Sequence, residues 1–186
     1  MLGDRRRSLI IAETAAFIGL IAVGSWISIP FVPVPFTLQT LFVLLSGIVM
    51  KRYAVIPTSL LVLFGAMNLP VFHNGASGIG ILLGPTGGYL IGFIPASLIV
   101  GLAYEQDSRP LQIAGIIVGE VALFSAGVGW LSFSTGMTII QASVIGLVPF
   151  IPGDIVKGYA AYVIGKRIRG SGIAIQPGEK IGGNER

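Results

Sequence analysis

Pro70-Val-Phe-His-Asn-Gly-Ala-Ser-Gly-Ile-Gly-Ile-Leu-Leu-Gly-Pro-Thr-Gly-Gly-Tyr89 is the one long part of this chain that does not read as regular helix. It holds six glycines (Gly75, Gly78, Gly80, Gly84, Gly87, Gly88), two prolines and the only histidine, His73. Glycine and proline interrupt helices, so the stretch reads as a loop. It carries no Asp, Glu, Lys or Arg, which a solvent-washed loop normally would. An uncharged, glycine-rich loop lets backbone groups approach a ligand closely. It therefore reads as the lid or wall of a pocket, and the rest of the chain as the scaffold that holds it.

The scaffold is strongly apolar. Of 186 residues, 53% are hydrophobic and 11% charged, with a mean hydropathy of +0.87. Soluble domains carry about 25% charge, so the composition is that of an integral membrane protein, all-α and in one domain. The net charge of +4 is not a nucleic-acid signature, because the basic residues sit at the ends of apolar runs. Without cysteine, disulfides, thiolate nucleophiles and cysteine metal sites are excluded. No cofactor is expected.

Working outward from the loop, the apolar runs predict six spans at about 9–29, 38–50, 53–72, 88–104, 111–131 and 150–168. Arg5-Arg6-Arg7 before the first run resembles a signal peptide. The run's length, Glu13 within it and the lack of a small-residue cleavage site favour a span. Pro30–Thr37 is proline-rich and extended. Ser132–Gly136 reads as a loop, and Met137–Val148 as a short re-entrant or interfacial helix before the last span. Residues 1–169 form the membrane domain and 170–186 a polar, flexible tail. Eleven of twelve basic residues fall on the side of the termini, so by the positive-inside rule both termini are expected to be cytoplasmic. The glycine-rich loop then faces outside, with Trp26 and Trp130 at the outer interface. On span one, Ala12 and Ala16 lie four apart with Leu20, as do Ala15 and Gly19. Such small-residue faces suit close packing of helices, within the chain or onto another membrane protein.

The twelfth basic residue, Lys157, lies inside span six, three residues after Asp154. Residues i and i+3 share a helical face, so carboxylate and ammonium can lie side by side. A charge inside the bilayer is costly and by default marks a functional site. Pro152-Gly153 should also free backbone groups there, as in the broken helices of transporter sites. An ion pair that serves helix packing alone is the competing reading. Asn74 and Tyr89 offer hydrogen-bonding groups at the loop. For each the alternative is structural: a left-handed turn residue for Asn74, an interfacial anchor for Tyr89. Gln39 can line the pocket from the outer end of span two. His73 has no second histidine or cysteine with which to make a metal set. Glu120, mid-span with no partner in sequence, is open to three readings: protonated, pocket-facing, or part of a proton path. No phosphate-binding loop of the Gly-x-x-x-x-Gly-Lys-[Ser/Thr] type and no intramembrane hydrolase set occurs. Rival readings are an intramembrane enzyme using Asp154 and Lys157 or Glu120, a proton-coupled carrier using Glu120, and a structural subunit.

Pro33-Val-Pro-Phe-Thr-Leu-Gln-Thr40, Gly65-Ala-Met-Asn-Leu-Pro-Val-Phe72, Gly84-Pro-Thr-Gly-Gly-Tyr89 and Pro152-Gly-Asp154 with Lys157 resemble, in order and spacing, the BioY family. The resemblance covers roughly residues 9–168. It implies a biotin-specific substrate-binding (S) component of an energy-coupling factor (ECF) transporter, not an enzyme: a six-helix bundle with a biotin pocket near the outer surface. The implied partners are a transmembrane coupling protein and two cytoplasmic ABC-type ATPases, alongside membrane lipid. It assigns biotin contacts to Asp154, Lys157, Asn74 and Tyr89, to which Gln39 and Thr86 are added as candidates, and coupling-protein docking to Ala12 and Ala16. Biotin's ureido ring has two N–H donors and one acceptor. A carboxylate and an amide suit that edge, and the lysine suits either the ureido oxygen or the anionic tail.

Overall fold

The computed structural model describes residues 2–170. The helices are α1 (Leu2–Trp26), α2 (Gln39–Met50), α3 (Val55–Ala66), α4 (Ile79–Leu83), α5 (Gly87–Ala103), α6 (Arg109–Thr135), α7 (Ile139–Gly146) and α8 (Ile151–Gly170). Two short 3₁₀ turns, Lys51–Ala54 and His73–Gly75, and a two-residue antiparallel ladder of β1 (Ser28–Ile29) on β2 (Phe36–Thr37) complete it. The chain is mostly helical, with several apolar helices, and is a multi-pass membrane protein. The expected tail falls on residues 171–186, outside the described residues.

By length and hydropathy Arg6–Trp26, Gln39–Ala66 and Arg109–Thr135 are able to cross a membrane. So is the pair Ile139–Gly146 and Ile151–Arg169, bent by 57° at its break; Gly87–Ala103 is apolar but shorter. The run Gln39–Ala66 is not one rod. Straight, its 28 residues would extend about 42 Å. Yet Leu38 N donates to Gly24 O (3.0 Å) before the run, and Trp26 Nε1 to Pro70 O (3.1 Å) after it. Both ends therefore meet the end of α1, so the chain reverses in between. The reversal falls at Lys51, whose φ of 56° and ψ of −136° leave the helical region. The neighbouring Arg52 makes a two-pronged ion pair with Glu105 on the α5–α6 connection (2.5 and 2.6 Å), and the guanidinium holds that carboxyl below its usual range.

α2 is the central post. It packs on α1, α5 and α8, and ten of its twelve residues are buried, as expected of a helix that is apolar all round. α5 and α6 form the most extensive helix pair. Their approach depends on Gly88, where a Cβ would overlap Trp130 Cβ and the carbonyl oxygen of Ala126. Gly88→Ala is therefore expected to cost about 3 kcal/mol, the upper end for overpacking, because backbone cannot swing aside. Thermal unfolding in detergent measures this, with Gly80→Ala, whose Cβ meets nothing within 4 Å among the described residues, as control. Equal midpoints would refute the packing argument.

Three boundaries differ from expectation. Ser132–Gly136 is not a loop: α6 continues to Thr135 and ends at Gly136 in the left-handed region (φ 73°). The hydroxyls of Ser134 and Thr135 fold back onto Leu131 O, so these polar residues are satisfied inside the helix. The third expected span, 53–72, ends as a helix at Ala66, because Asn68 turns left-handed (φ 69°). The chain then drops fully buried Phe72 into the core, where its carbonyl accepts from Ser25. The expected first span, to residue 29, ends as a helix at Trp26. The glycine-rich stretch also contains one short helix, α4.

Candidate ligand site

Asp154 and Lys157 lie in the first turns of α8, beyond the break after α7, and are 6% and 5% exposed. Their ion pair measures 2.5 Å. Lys157 Nζ also donates to Thr37 O (2.9 Å) and stands 4.1 Å from the centre of the Phe36 ring. The ammonium thus has a counter-charge, a carbonyl and an aromatic face, which offset its burial. Phe36 stacks on Phe150 (5.8 Å), Phe124 packs against Phe150 (6.5 Å), and Tyr89 meets Phe124 edge-on (6.3 Å). The pair therefore sits at the base of an aromatic wall.

Beside it is a cavity of about 50 Å³ whose wall includes Gln39, Thr40, His73, Thr86, Tyr89, Phe93, Phe124, Phe150, Asp154 and Lys157. The structure thus brings together Gln39, Thr86, Tyr89, Asp154 and Lys157. Gln39 is 3% exposed, and its Nε2 has no hydrogen-bond partner among the described residues. A buried orphan donor is rare and costly, and this one belongs to the cavity wall. The Tyr89 hydroxyl donates to Gly146 O (2.7 Å), so what Tyr89 offers is its ring. Thr86 is 9% exposed, at the start of α5.

Asn74 is not brought to the cavity. It is exposed and left-handed (φ 54°), and its Oδ1 accepts from Ser28 Oγ, tying the glycine-rich stretch to β1. Ala12 and Ala16 are exposed on α1, as are Ala15 and Gly19, with buried Phe17 and Ile21 on the other side. Sequence reasoning missed Phe36, the Thr37 carbonyl, Thr40, Phe124, Phe150 and the placement of His73. Only the shortness of the second expected span, 38–50, for a bilayer of about 30 Å hinted that part of residues 30–40 is buried.

A second, larger space of about 900 Å³ is a groove between α6 and α8 under α7, lined by apolar residues with Glu120 and Tyr159. Phe124 and Asp154 border both spaces. The Glu120 carboxylate oxygens are buried without a hydrogen-bond partner among the described residues. No cluster of three metal-ligating side chains occurs among those residues. Ligand pockets usually measure about 300–1,000 Å³, so the polar cavity must widen to admit a ligand. The hairpin of residues 28–37 borders this cavity and is held by the bond from the Lys157 ammonium to Thr37 O, by Phe36 and Phe31 against Phe150, and by the Ser28–Asn74 bond.

The profile of the BioY family matches residues 5–172. The biotin transporter BioY of Thermotoga maritima is 42% identical, covering 84% of this chain and 94% of its own. The probable biotin transporter BioY of Pyrococcus horikoshii is 35% identical, covering 87% and 96%. The crystal structure of the S-component for biotin from an ECF-type ABC transporter superposes with a TM-score of 0.81 at 25% identity, covering 90% of this chain and 94% of that one.

Proposed function

The chain belongs to the BioY family, and from that premise we propose that it binds biotin as the S component of an ECF transporter and serves biotin uptake. It performs no chemistry itself. The observation that carries the reading is that the buried Asp154–Lys157 pair and the unpartnered Gln39 Nε2 line one aromatic-walled cavity. Biotin's two ureido N–H groups suit the Asp154 carboxylate, and its ureido oxygen suits Gln39 Nε2 or Lys157. Tyr89, Phe124 and Phe150 offer walls to the fused rings, and Thr86 closes the side toward α5. Asn74 acts through the loop, by holding the glycine-rich stretch on the hairpin.

The topology that goes with this role has six crossings: α1, α2, α3, α5, α6 and α8, with α7 as the interfacial helix. Both termini lie in the cytoplasm. This places the hairpin and the glycine-rich stretch outside, where biotin is captured. The exposed small-residue face of α1 at Ala12 and Ala16 docks the coupling protein. Two ABC-type ATPases then drive reorientation of the whole S component within the lipid, and nucleic acid has no part in it.

Equilibrium binding of biotin to the detergent-purified chain tests the reading, with thiamine and riboflavin as controls. Saturable one-site binding selective for biotin is expected, and its absence in a folded sample would sink the proposal. Gln39→Leu sharpens it. One lost neutral hydrogen bond should weaken biotin about threefold to tenfold, while removal of a buried orphan donor raises stability by about 1–3 kcal/mol. A variant that loses stability without losing affinity would show that Gln39 serves packing instead.

A further inference from the structure

We propose that His73 is a proton-dependent specificity residue at the outer mouth of the pocket, recognising the carboxylate tail of the ligand when its imidazole is protonated. The proposal rests on the biotin reading above. Half-buried His73 belongs to the wall of the cavity that holds Asp154 and Lys157. Its turn packs on the end of α1, and the backbone around it is fixed by Phe72 N to Ala76 O (3.1 Å) and Ala76 N to His73 O (3.0 Å).

No Asp, Glu, Lys or Arg occurs between Glu13 and Lys51, between Arg52 and Glu105, or between Glu120 and Asp154. These three intervals contain the outer connections and most of the cavity wall. The other titratable groups of the wall are Asp154, Lys157 and Tyr89. Asp154 and Lys157 engage one another at the base, and the Tyr89 hydroxyl is bound to Gly146. Glu120 lines the α6–α8 groove rather than the cavity. The end of α1, β1, β2, the start of α2 and the end of α3 contribute no charge. A ligand whose polar head engages the base therefore leaves its anionic tail with one further wall group, among the described residues, that can answer it with positive charge, the His73 imidazole.

Burial lowers the His73 pKa below the ordinary 6.5. Without ligand the imidazole is thus neutral at pH 7.5 and takes up its proton only below about 6.5. A bound anion favours the charged form and raises that pKa, so binding takes up a proton and affinity rises as pH falls through this window.

Calorimetric titration of the full-length chain with biotin and with biotinamide, whose tail is uncharged, at pH 7.5 and 5.5 tests this. Both values keep an ordinary carboxylic acid, pKa about 4.3, mostly ionised. Biotin affinity should rise about threefold to tenfold at the lower pH, the range of a partly solvated charge pair, while biotinamide shows no such rise. In His73→Gln the rise should vanish, and in His73→Lys biotin binding should be equally tight at both pH values. An equal rise for biotinamide, or a rise retained in His73→Gln, would overturn the proposal while leaving the biotin reading intact. No biotin binding at either pH would overturn both.

Discussion

Asp154→Leu is expected to destabilise the bundle by about 3–5 kcal/mol and to abolish biotin binding, whereas Asp154→Leu/Lys157→Met should recover the stability and not the binding. Each single change leaves one buried charge without its partner, and an uncompensated ion at 5–6% exposure has no water to turn to. Removing both partners removes the problem, so the double variant should unfold near the parent or above it. Binding follows a different rule. If the carboxylate accepts from two ureido N–H groups, each charge-assisted bond is worth about 1.5–3 kcal/mol, so affinity falls about a hundredfold or more in every variant lacking Asp154. Thermal unfolding in detergent and biotin titration of the same samples separate the two effects. Biotin binding by the double variant at parental affinity would remove the pair from the site. A double variant no more stable than the singles would show that neighbours other than the partner hold each charge.

The Asp154–Lys157 pair was readable because its evidence is local: two opposite charges three apart in an apolar run, after Pro152-Gly153. Side by side on a helix, they had few other places to go. Gln39, Thr86 and Tyr89 were likewise placed by motifs at helix ends. Asn74 takes the alternative left open for it, because the same short amide serves a left-handed turn as readily as a ligand, and here its side chain closes a loop-to-loop bond to Ser28. The bond from Lys157 to Thr37 links residues 120 apart, and no periodicity reports such a contact. His73 lacked a metal partner in sequence, and its actual neighbours became visible only once the glycine-rich stretch had folded over the cavity. The extension of α6 was hidden because Ser132, Ser134 and Thr135 read as loop-formers in water. In the apolar helix the Ser134 and Thr135 hydroxyls turn instead to the preceding carbonyl of Leu131, and Ser132 bonds Met137 O beyond the helix end. The break between the second and third expected spans was legible at Lys51-Arg52, where length and hydropathy alone would merge α2 with α3.

Ala12→Trp and Ala16→Trp are expected to reduce biotin uptake to background while leaving biotin binding by the isolated chain unchanged. Both alanines are exposed and share one face of α1, on the far side from the buried Phe17 and Ile21. Among the described residues, nothing lies within 4 Å of a Cβ placed at nearby Gly19. In lipid, apolar area alone does not drive helices together, since acyl chains are as apolar as leucine. Association there depends on close backbone approach, which small residues permit and an indole prevents. The same substitutions touch neither the cavity nor the core, so folding should shift by no more than about 0.5 kcal/mol. Val118→Trp, also at an exposed position but on α6, is the control for bulk alone and should retain uptake. The measurements are uptake of labelled biotin by cells that express the chain with an ECF coupling protein and its ATPases, co-purification of the coupling protein, and biotin titration of the purified chain. Parental uptake in both tryptophan variants would move the docking surface off this face of α1. Loss of binding together with uptake would mean that α1 shapes the pocket rather than the interface.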